Sequence, residues 1–537
     1  MTLIDRVLYN GHIVTLDNAR PPVSALALAG GRIVAFGSDD QILAIAAAGT
    51  IRENLDGKTV IPGLTDAHIH WEWTARALHQ VNVFEVPNKA VAIERVAEWT
   101  AKTPAGQWVR GSGWFQDLWP DRAFPTAADL DSVSPYHPVY LTAKSGHAGW
   151  ANSAALRLCG ITSNTPDPDG GQIQRDANGQ PTGILFENAM NLVADQIPSL
   201  SIHQIAEQMK TAQKLALAAG LTGIHDFDQP SCFAALQLLR EQGELGLRVV
   251  KNINRQWLPA ALDLGLRWGF GDDWMRIGGL KIFADGALGP RTAYMIEPYE
   301  GEPDNYGIST IDKEEMAELV SRASAAGLPS TIHAIGDRAV HDVLDVYEAV
   351  RKEESARGEA PASRRHRIEH VQIIHPSDAH RLAQLNIIAS MQPIHATSDM
   401  KMADSYWGAE RSKWAYNPRL QLDQRVVVVF GSDSPVDTFD PFKGIHAAVT
   451  RQRADGSPGQ DGWYPDARIT VDEAIRGYIL GPAYAAGMEN RLGKLAPGFL
   501  ADLVVLDRDP YAISPAELLD VKVIATMVGG LWRHGGL

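Results

Sequence analysis

The sequence predicts an α/β fold: a (β/α)8 TIM-type barrel, a small discontinuous β-sandwich domain formed by both termini, and a large insertion after barrel strand 1. Three observations carry this expectation. Residues 61 to 490 alternate apolar strand-like runs with amphipathic helical patterns, the signature of a parallel sheet with helical crossovers. Both ends of the chain are instead rich in short strands and turn signals. Finally, ligand-type residues recur at the ends of the strand-like runs, and the C-terminal ends of barrel strands are where such folds keep their chemistry.

In chain order, residues 4 to 60 read as short strands. Asn10-Gly11 lies between Val7 to Tyr9 and Ile13 to Leu16, and Gly30-Gly31 between Ala25 to Ala29 and Arg32 to Phe36, so both pairs are expected to be hairpin turns. The same texture returns in ADLVVLD at 501 to 507 and in 523 to 535, where Gly529-Gly530 suggests another hairpin. Residues 1–60 and 491–537 are therefore assigned to one composite domain, and 61–490 to the barrel.

Barrel strands are expected at 61–70, 221–227, 247–254, 278–285, 328–335, 366–370, 386–392 and 425–432, and eight is the number that closes such a barrel. The helix at 201–219 shows the crossover pattern. Ser201 and Gln204 make a capping box, Ile202, Ile205, Met209, Ala212, Leu215 and Ala216 recur at helical spacing, and Gly220 ends it. Asp312 with Glu315 and Thr470 with Glu473 should open two further helices in the same way. Residues 80–200 far exceed a normal connection and hold a further hairpin at Asn178-Gly179, so they are read as a lid or specificity wall.

Composition excludes several classes. A hydrophobic fraction of 45% and a charged fraction of 21% belong to an ordinary globular chain. The formal charge of -15 disfavours nucleic acid and anionic membrane as partners. Only Cys159 and Cys232 are present, outside any CxxC pattern, which argues against disulfides and thiolate metal sites. No window reaches a membrane-spanning length and the first residues lack a signal-peptide pattern, so a cytoplasmic location is the expectation.

Five stretches carry the chemistry: PGLTDAHIH at 62–70, KIFADG at 281–286, TIHAIGD at 331–337, RIEH at 367–370 and VVVVFGSDSP at 426–435. His68 and His70 lie two apart at the end of a strand, so both imidazoles face the same way. That is half of a metal site. Lys281, His333, His370 and Asp433 end four later strands, in an order a barrel brings to one rim.

With SMQPIH, GPRTA and LGKLAPGFLADLVVLD added, these segments resemble the amidohydrolase superfamily, most closely its YtcJ-like branch, which includes N-substituted formamide deformylases. The resemblance spans nearly the whole chain. It implies that His68 and His70 bind one metal, that Lys281 is carboxylated by CO₂ and bridges two metals, that His333 and His370 bind the second, and that Asp433 is both ligand and proton carrier. Imidazole and carboxylate donors suit divalent metal, Zn²⁺ above all. His147, His395 and Arg291 resemble positions near the substrate, where a donor could hold a developing oxyanion. Glu187 is a candidate carboxylate from the insertion, and Asp285 and Asp337 are read as orienting groups.

The expected activity is hydrolysis of a non-peptide C–N bond, in an amide or N-substituted formamide, by water activated at the metal. A single-metal deaminase, an esterase or lactonase, and a non-catalytic binding barrel are the alternatives. Trp71, Trp73, Trp114, Trp150 and Trp407, in or near rim loops, would favour a small-molecule substrate with a hydrophobic or aromatic substituent, or else form core. The oligomeric state is left open, a homodimer among the options.

Overall fold

The computed structural model describes residues 3–17, 23–84, 86–116, 119–144 and 148–536. Its central element is a sheet of eight strands: Leu64–Ile69 (β1), Leu221–Asp226 (β2), Arg248–Asn254 (β3), Met275–Phe283 (β4), Ser330–Ala334 (β5), Arg367–His370 (β6), Ile388–Met391 (β7) and Val428–Phe430 (β8). They are neighbours in sequence order and every pair is parallel. The seam between β8 and β1 is bridged just past the end of β8. The Asp433 amide donates to the His68 carbonyl (2.7 Å), and the His70 amide to the Ser434 carbonyl (3.0 Å). Gly431 permits this approach, because a Cβ there would lie 2.4 Å from the His68 nitrogen.

Amphipathic helices form the crossovers, among them Ile202–Ala218, Lys313–Ala325, Asp337–Ala356 and Val471–Ala485. Ser201 and Gln204 exchange the two bonds of a capping box, as do Thr470 and Glu473. Asp312 caps Lys313–Ala325 by backbone position only, without a side-chain bond, so the capping box expected there is absent. In Ile202–Ala218 the core-facing row includes Leu217, while Leu215 is 45% exposed.

The two ends of the chain build two further sheets. One orders its strands Arg32–Gly37, Ala25–Ala29, Arg6–Tyr9, Ile51–Asn54, and the other His12–Ile13, Thr59–Pro62, Leu503–Leu506, Val523–Val528, Leu531–His534. Leu8, Leu26 and Ile33 of the first share a buried core with Val60, Leu503 and Met527 of the second. Gly30-Gly31 and Gly529-Gly530 are hairpin turns. Asn10-Gly11 is not. Arg6–Tyr9 already has Ala25–Ala29 on one side and Ile51–Asn54 on the other, so the chain crosses at Asn10 into the second sheet. A buried ion pair joins these strands to the barrel: the Arg248 guanidinium clasps Asp502, which also accepts from the Gly529 amide (2.8 Å).

Residues 75–208 form a compact unit of their own. It contains a six-stranded sheet in the order Gly171–Arg175, Pro181–Glu187, Ala148–Ala151, Val139–Ala143, Val109–Trp114, Val81–Asn82, and its core holds Trp114, Trp119 and Trp150.

Beneath β5 and β6 lies a polar network whose Ser324, Ser330, Glu354 and His366 are buried. The Ser330 amide donates to His366 Nδ1 (3.0 Å), so His366 donates from Nε2 to Glu354 (2.9 Å), which also accepts from Ser324 (2.6 Å) and Arg351 (2.6 Å). Burial opposes ionisation of Glu354, but the bond from His366 and the other donors hold it at about 2, below the usual 4.5. A depressed carboxylate stabilises the fold above its ordinary pKa and loses that contribution as pH falls. Glu354→Gln should therefore cost about 3 kcal/mol at pH 7, since it leaves buried partners unmatched. Urea unfolding of wild type and variant should converge as pH falls from 4.5 toward 2.

Candidate active site

The candidate site is built at the C-terminal ends of β1, β2 and β4 to β8. Strand alternation places Asp66, His68 and His70 on one face. The two imidazoles lie edge to face, 5.9 Å apart. His370 does not follow from alternation, because its neighbour Glu369 already points into the barrel. A left-handed backbone at His370 (φ 76°) and Val371 (φ 44°) turns the imidazole into the cluster, 4.9 Å from the His68 ring and 4.5 Å from that of His333. Asp433 is also left-handed (φ 59°). Such strained positions persist only where the surroundings hold them, and they gather at functional sites.

Asp433 is the meeting point. One carboxylate oxygen lies 3.3 Å from His68 Nε2 and 3.4 Å from His70 Nε2, and the other lies 3.5 Å from His395 Nε2. Behind each imidazole stands an acceptor. His68 Nδ1 donates to Glu369 (2.6 Å), His70 Nδ1 to Asp228 (2.8 Å), His370 Nδ1 to Gln392 (2.9 Å), His395 Nδ1 to Asp437 (2.9 Å) and His333 Nε2 to the Gly286 carbonyl (2.9 Å). These bonds orient each ring and leave its opposite nitrogen a lone-pair donor where the imidazole is neutral, the arrangement that metal-binding histidines use, and an N–H where it is protonated.

Charge is divided unevenly across the cluster. Burial lowers His70 and His395, but Asp228 with Asp433 lifts the first to about 9, and Asp433 with Asp437 lifts the second to about 10. Burial and the neighbouring Lys281 bring His333 down to about 3, and burial with His333 holds His370 well below its usual value. Burial pushes Asp433 up, yet the imidazoles around it keep it well below the carboxylate range. Lys281 is lowered to about 8 by burial, against the pull of Glu369 and Asp433. Its amine has no hydrogen-bond partner among the described residues and lies 4.6 Å from the Phe227 ring and 4.5 Å from that of Phe283.

Two groups of ligand atoms therefore converge, His68 with His70 and Asp433, and His370 with His395 and Asp433, the atoms of each lying within 4.8 Å of one another. Among the described residues, His68 Nε2 and Lys281 Nζ are buried polar atoms at this convergence with no hydrogen-bond partner. The donor set fits divalent cations.

The other expected residues lie as follows. Arg291 pairs with Glu302 and stacks over Tyr406, 4.8 Å from the ring. His147 lies outside the described residues. Glu187 ends its strand in the 75–208 unit and is exposed. Asp285 accepts from the amides of Tyr294 (2.9 Å), Ile335 (3.0 Å) and Gly336 (2.8 Å), and Asp337 from that of Ile296 (2.8 Å), so both brace loops. Of the five tryptophans, Trp71, Trp114, Trp150 and Trp407 are buried, and Trp73 is exposed beside His70.

Sequence reasoning missed the groups behind the histidines: Glu369, Asp228, Gln392 and Asp437. Glu369 was in plain view within RIEH. Arg367 and Glu369 lie two apart and face inward together, where Arg367 binds both oxygens of Glu369 and the Ala67 carbonyl (2.7 Å). A charged pair at alternate positions of a buried strand was the available signal.

An eight-stranded parallel barrel with imidazole and carboxylate groups gathered at the ends of its strands defines a barrel enzyme with its chemistry at that rim. The model of the amidohydrolase family matches residues 53–531, and the chain belongs to that family. It is 32% identical to the putative amidohydrolase YtcJ of Bacillus subtilis over 98% of both chains. It is 33% identical to the N-substituted formamide deformylase of Arthrobacter pascens, over 99% of this chain and 98% of that one. Among solved structures, an uncharacterized metal-dependent hydrolase from Pyrococcus furiosus superposes with a TM-score of 0.77 at 30% identity, covering 94% of this chain and 99% of the other. The protein is a hydrolase of the amidohydrolase superfamily.

Glu369→Gln replaces the acceptor behind His68 and unbalances Arg367. Affinity for a divalent cation, measured by competition with a chelator, should fall about 10- to 100-fold.

Proposed function

We propose that the protein is a metal-dependent hydrolase of non-peptide C–N bonds, acting on an amide or an N-substituted formamide. The observation that carries this reading is the convergence of His68, His70 and Asp433, each imidazole backed by a carboxylate and turning its Nε2 toward Asp433. The formamide deformylase relative and the metal-dependent hydrolase neighbour support the same reading. His68, His70, Lys281, His333, His370 and Asp433 would hold two Zn²⁺ ions, with Lys281 carboxylated between them. Its buried amine, without a hydrogen-bond partner among the described residues and lowered to about 8, suits capture of CO₂. When bound, the ions supply Lewis acidity toward the carbonyl and lower the pKa of water in the site.

The chain's own residues do the rest. Asp433, held ionised by the imidazoles around it, accepts the proton of the attacking water and returns it to the departing amine nitrogen. His395, braced by Asp437, offers an N–H to the charge that develops on the carbonyl oxygen. Glu369, Asp228 and Gln392 keep His68, His70 and His370 from rotating.

Asp433→Asn should leave metal content largely intact, while turnover of an active amide falls by about 10³-fold or more. Activity that survives this change would displace Asp433 as the proton carrier. Elemental analysis of the purified chain should give two ions, and bicarbonate should increase reactivation of apoprotein by Zn²⁺. One tightly bound ion and indifference to bicarbonate would point to the single-metal deaminase type instead.

A further inference from the structure

The turn that orients His70 is itself held by a lysine from the next strand. Asp226 ends β2, and Asp228 follows two residues later. One oxygen of Asp228 takes the His70 Nδ1 proton (2.8 Å) and the other accepts from the Trp73 amide (2.9 Å), while Asp226 accepts from the Trp71 amide (2.9 Å). Trp71 and Trp73 open the helix Trp71–Ala77, whose first amides have no partner within the helix. The turn at 226–228 therefore sets both the ring of His70 and the start of the helix that follows it.

Lys251 lies opposite Asp226 in the parallel pairing of β2 with β3, and both side chains are buried. They face the helix side of the sheet, where the Cys232 thiol meets an Asp226 oxygen (3.3 Å). The Lys251 ammonium donates to that same oxygen (2.6 Å) and to the Asp228 carbonyl, so one cation spans the turn from its first residue to its third. Burial opposes charge on Lys251, yet Asp226 above all holds it above its usual value. A buried ion pair is often structural alone. Arg248, earlier on the same strand, is such a case: its guanidinium clasps Asp502 and the Asp273 carbonyl (2.6 Å) at the other end of β3. Lys251 differs because its second acceptor belongs to the residue whose carboxylate orients His70.

We propose that Lys251 is a positioning residue of the active site, fixing the turn at 226–228 so that Asp228 keeps the His70 imidazole aimed at Asp433. The proposal rests on the metal-site reading for its consequence at a bound cation, but not for the orientation of His70. Without the ammonium, the buried Asp226 carboxylate loses its cation and the Asp228 carbonyl loses a donor. The turn then opens, and Asp228 withdraws from His70.

The test compares Lys251→Met and Lys251→Gln with Arg248→Met in the purified full chain. Three measurements are made: urea unfolding, the low-field NMR signal of the His70 Nδ1 proton (assigned by its loss in His70→Asn), and Co²⁺ affinity by competition with a chelator. All three variants should lower the urea midpoint, since each breaks a buried pair. Only the Lys251 variants should shift or broaden the His70 signal and weaken Co²⁺ binding about 10-fold, the scale of a lost supporting contact. Lys251→Gln, which keeps an N–H for the Asp228 carbonyl, should lose less than Lys251→Met, and it carries the measurement if the methionine variant does not fold. A His70 signal that stays as in wild type in a folded Lys251 variant, or that moves equally in Arg248→Met, would reduce Lys251 to a structural residue and overturn the proposal. A displaced His70 signal in a chain whose wild type binds no Co²⁺ would refute the metal reading and leave the positioning role standing.

Discussion

The bond between the Asp433 amide and the His68 carbonyl does two jobs at once. It bridges the seam where the last barrel strand meets the first, and it places the Asp433 carboxylate against His68 and His70. Barrel closure and site assembly are thus one event. Gly431 admits the approach and the left-handed Asp433 aims it, so the conformational cost at this corner is borne by the contacts that complete the sheet.

Around that point the cluster is layered. The inner groups are imidazoles, an amine and a carboxylate. Behind them stand Glu369, Asp228, Gln392 and Asp437, and behind Glu369 stands Arg367, itself bonded to the first strand through Ala67. Each layer fixes the one inside it. Lys281 lies beside the rings of Phe227 and Phe283, and burial loosens its hold on its proton against the pull of Glu369 and Asp433, whereas the equally buried Lys251 keeps its proton through Asp226.

Periodicity made the barrel and its inner groups legible, because strand alternation and strand ends are local properties. The eight strands fall within a few residues of their expected places, and His68 and His70 share a face as their spacing requires. What escaped depended on partners distant in sequence. Asn10-Gly11 carries the local marks of a hairpin, yet Arg6–Tyr9 has both edges taken, one of them by a strand more than forty residues away. Trp114 and Trp150 come near the barrel rim in sequence and end in the core of a separate unit. Asp228 and Asp437 acquire meaning only once His70 and His395 are seen to turn toward them.

The strand Thr59–Pro62 leads directly into β1, and its partner across the sheet is Leu503–Leu506. During synthesis the ribosome must therefore make nearly the whole chain before this strand, already beside His12–Ile13, finds its second neighbour. Until then the region carrying His68 and His70 enters the barrel from an unfinished sheet edge, an exposed surface of the kind that chaperones guard. The Arg248 and Asp502 pair, joining β3 to the same late segment, makes the final step a latch as well as a seam. A nascent chain can thus gather most of its barrel early, while the entry to its first histidine pair is secured among the last.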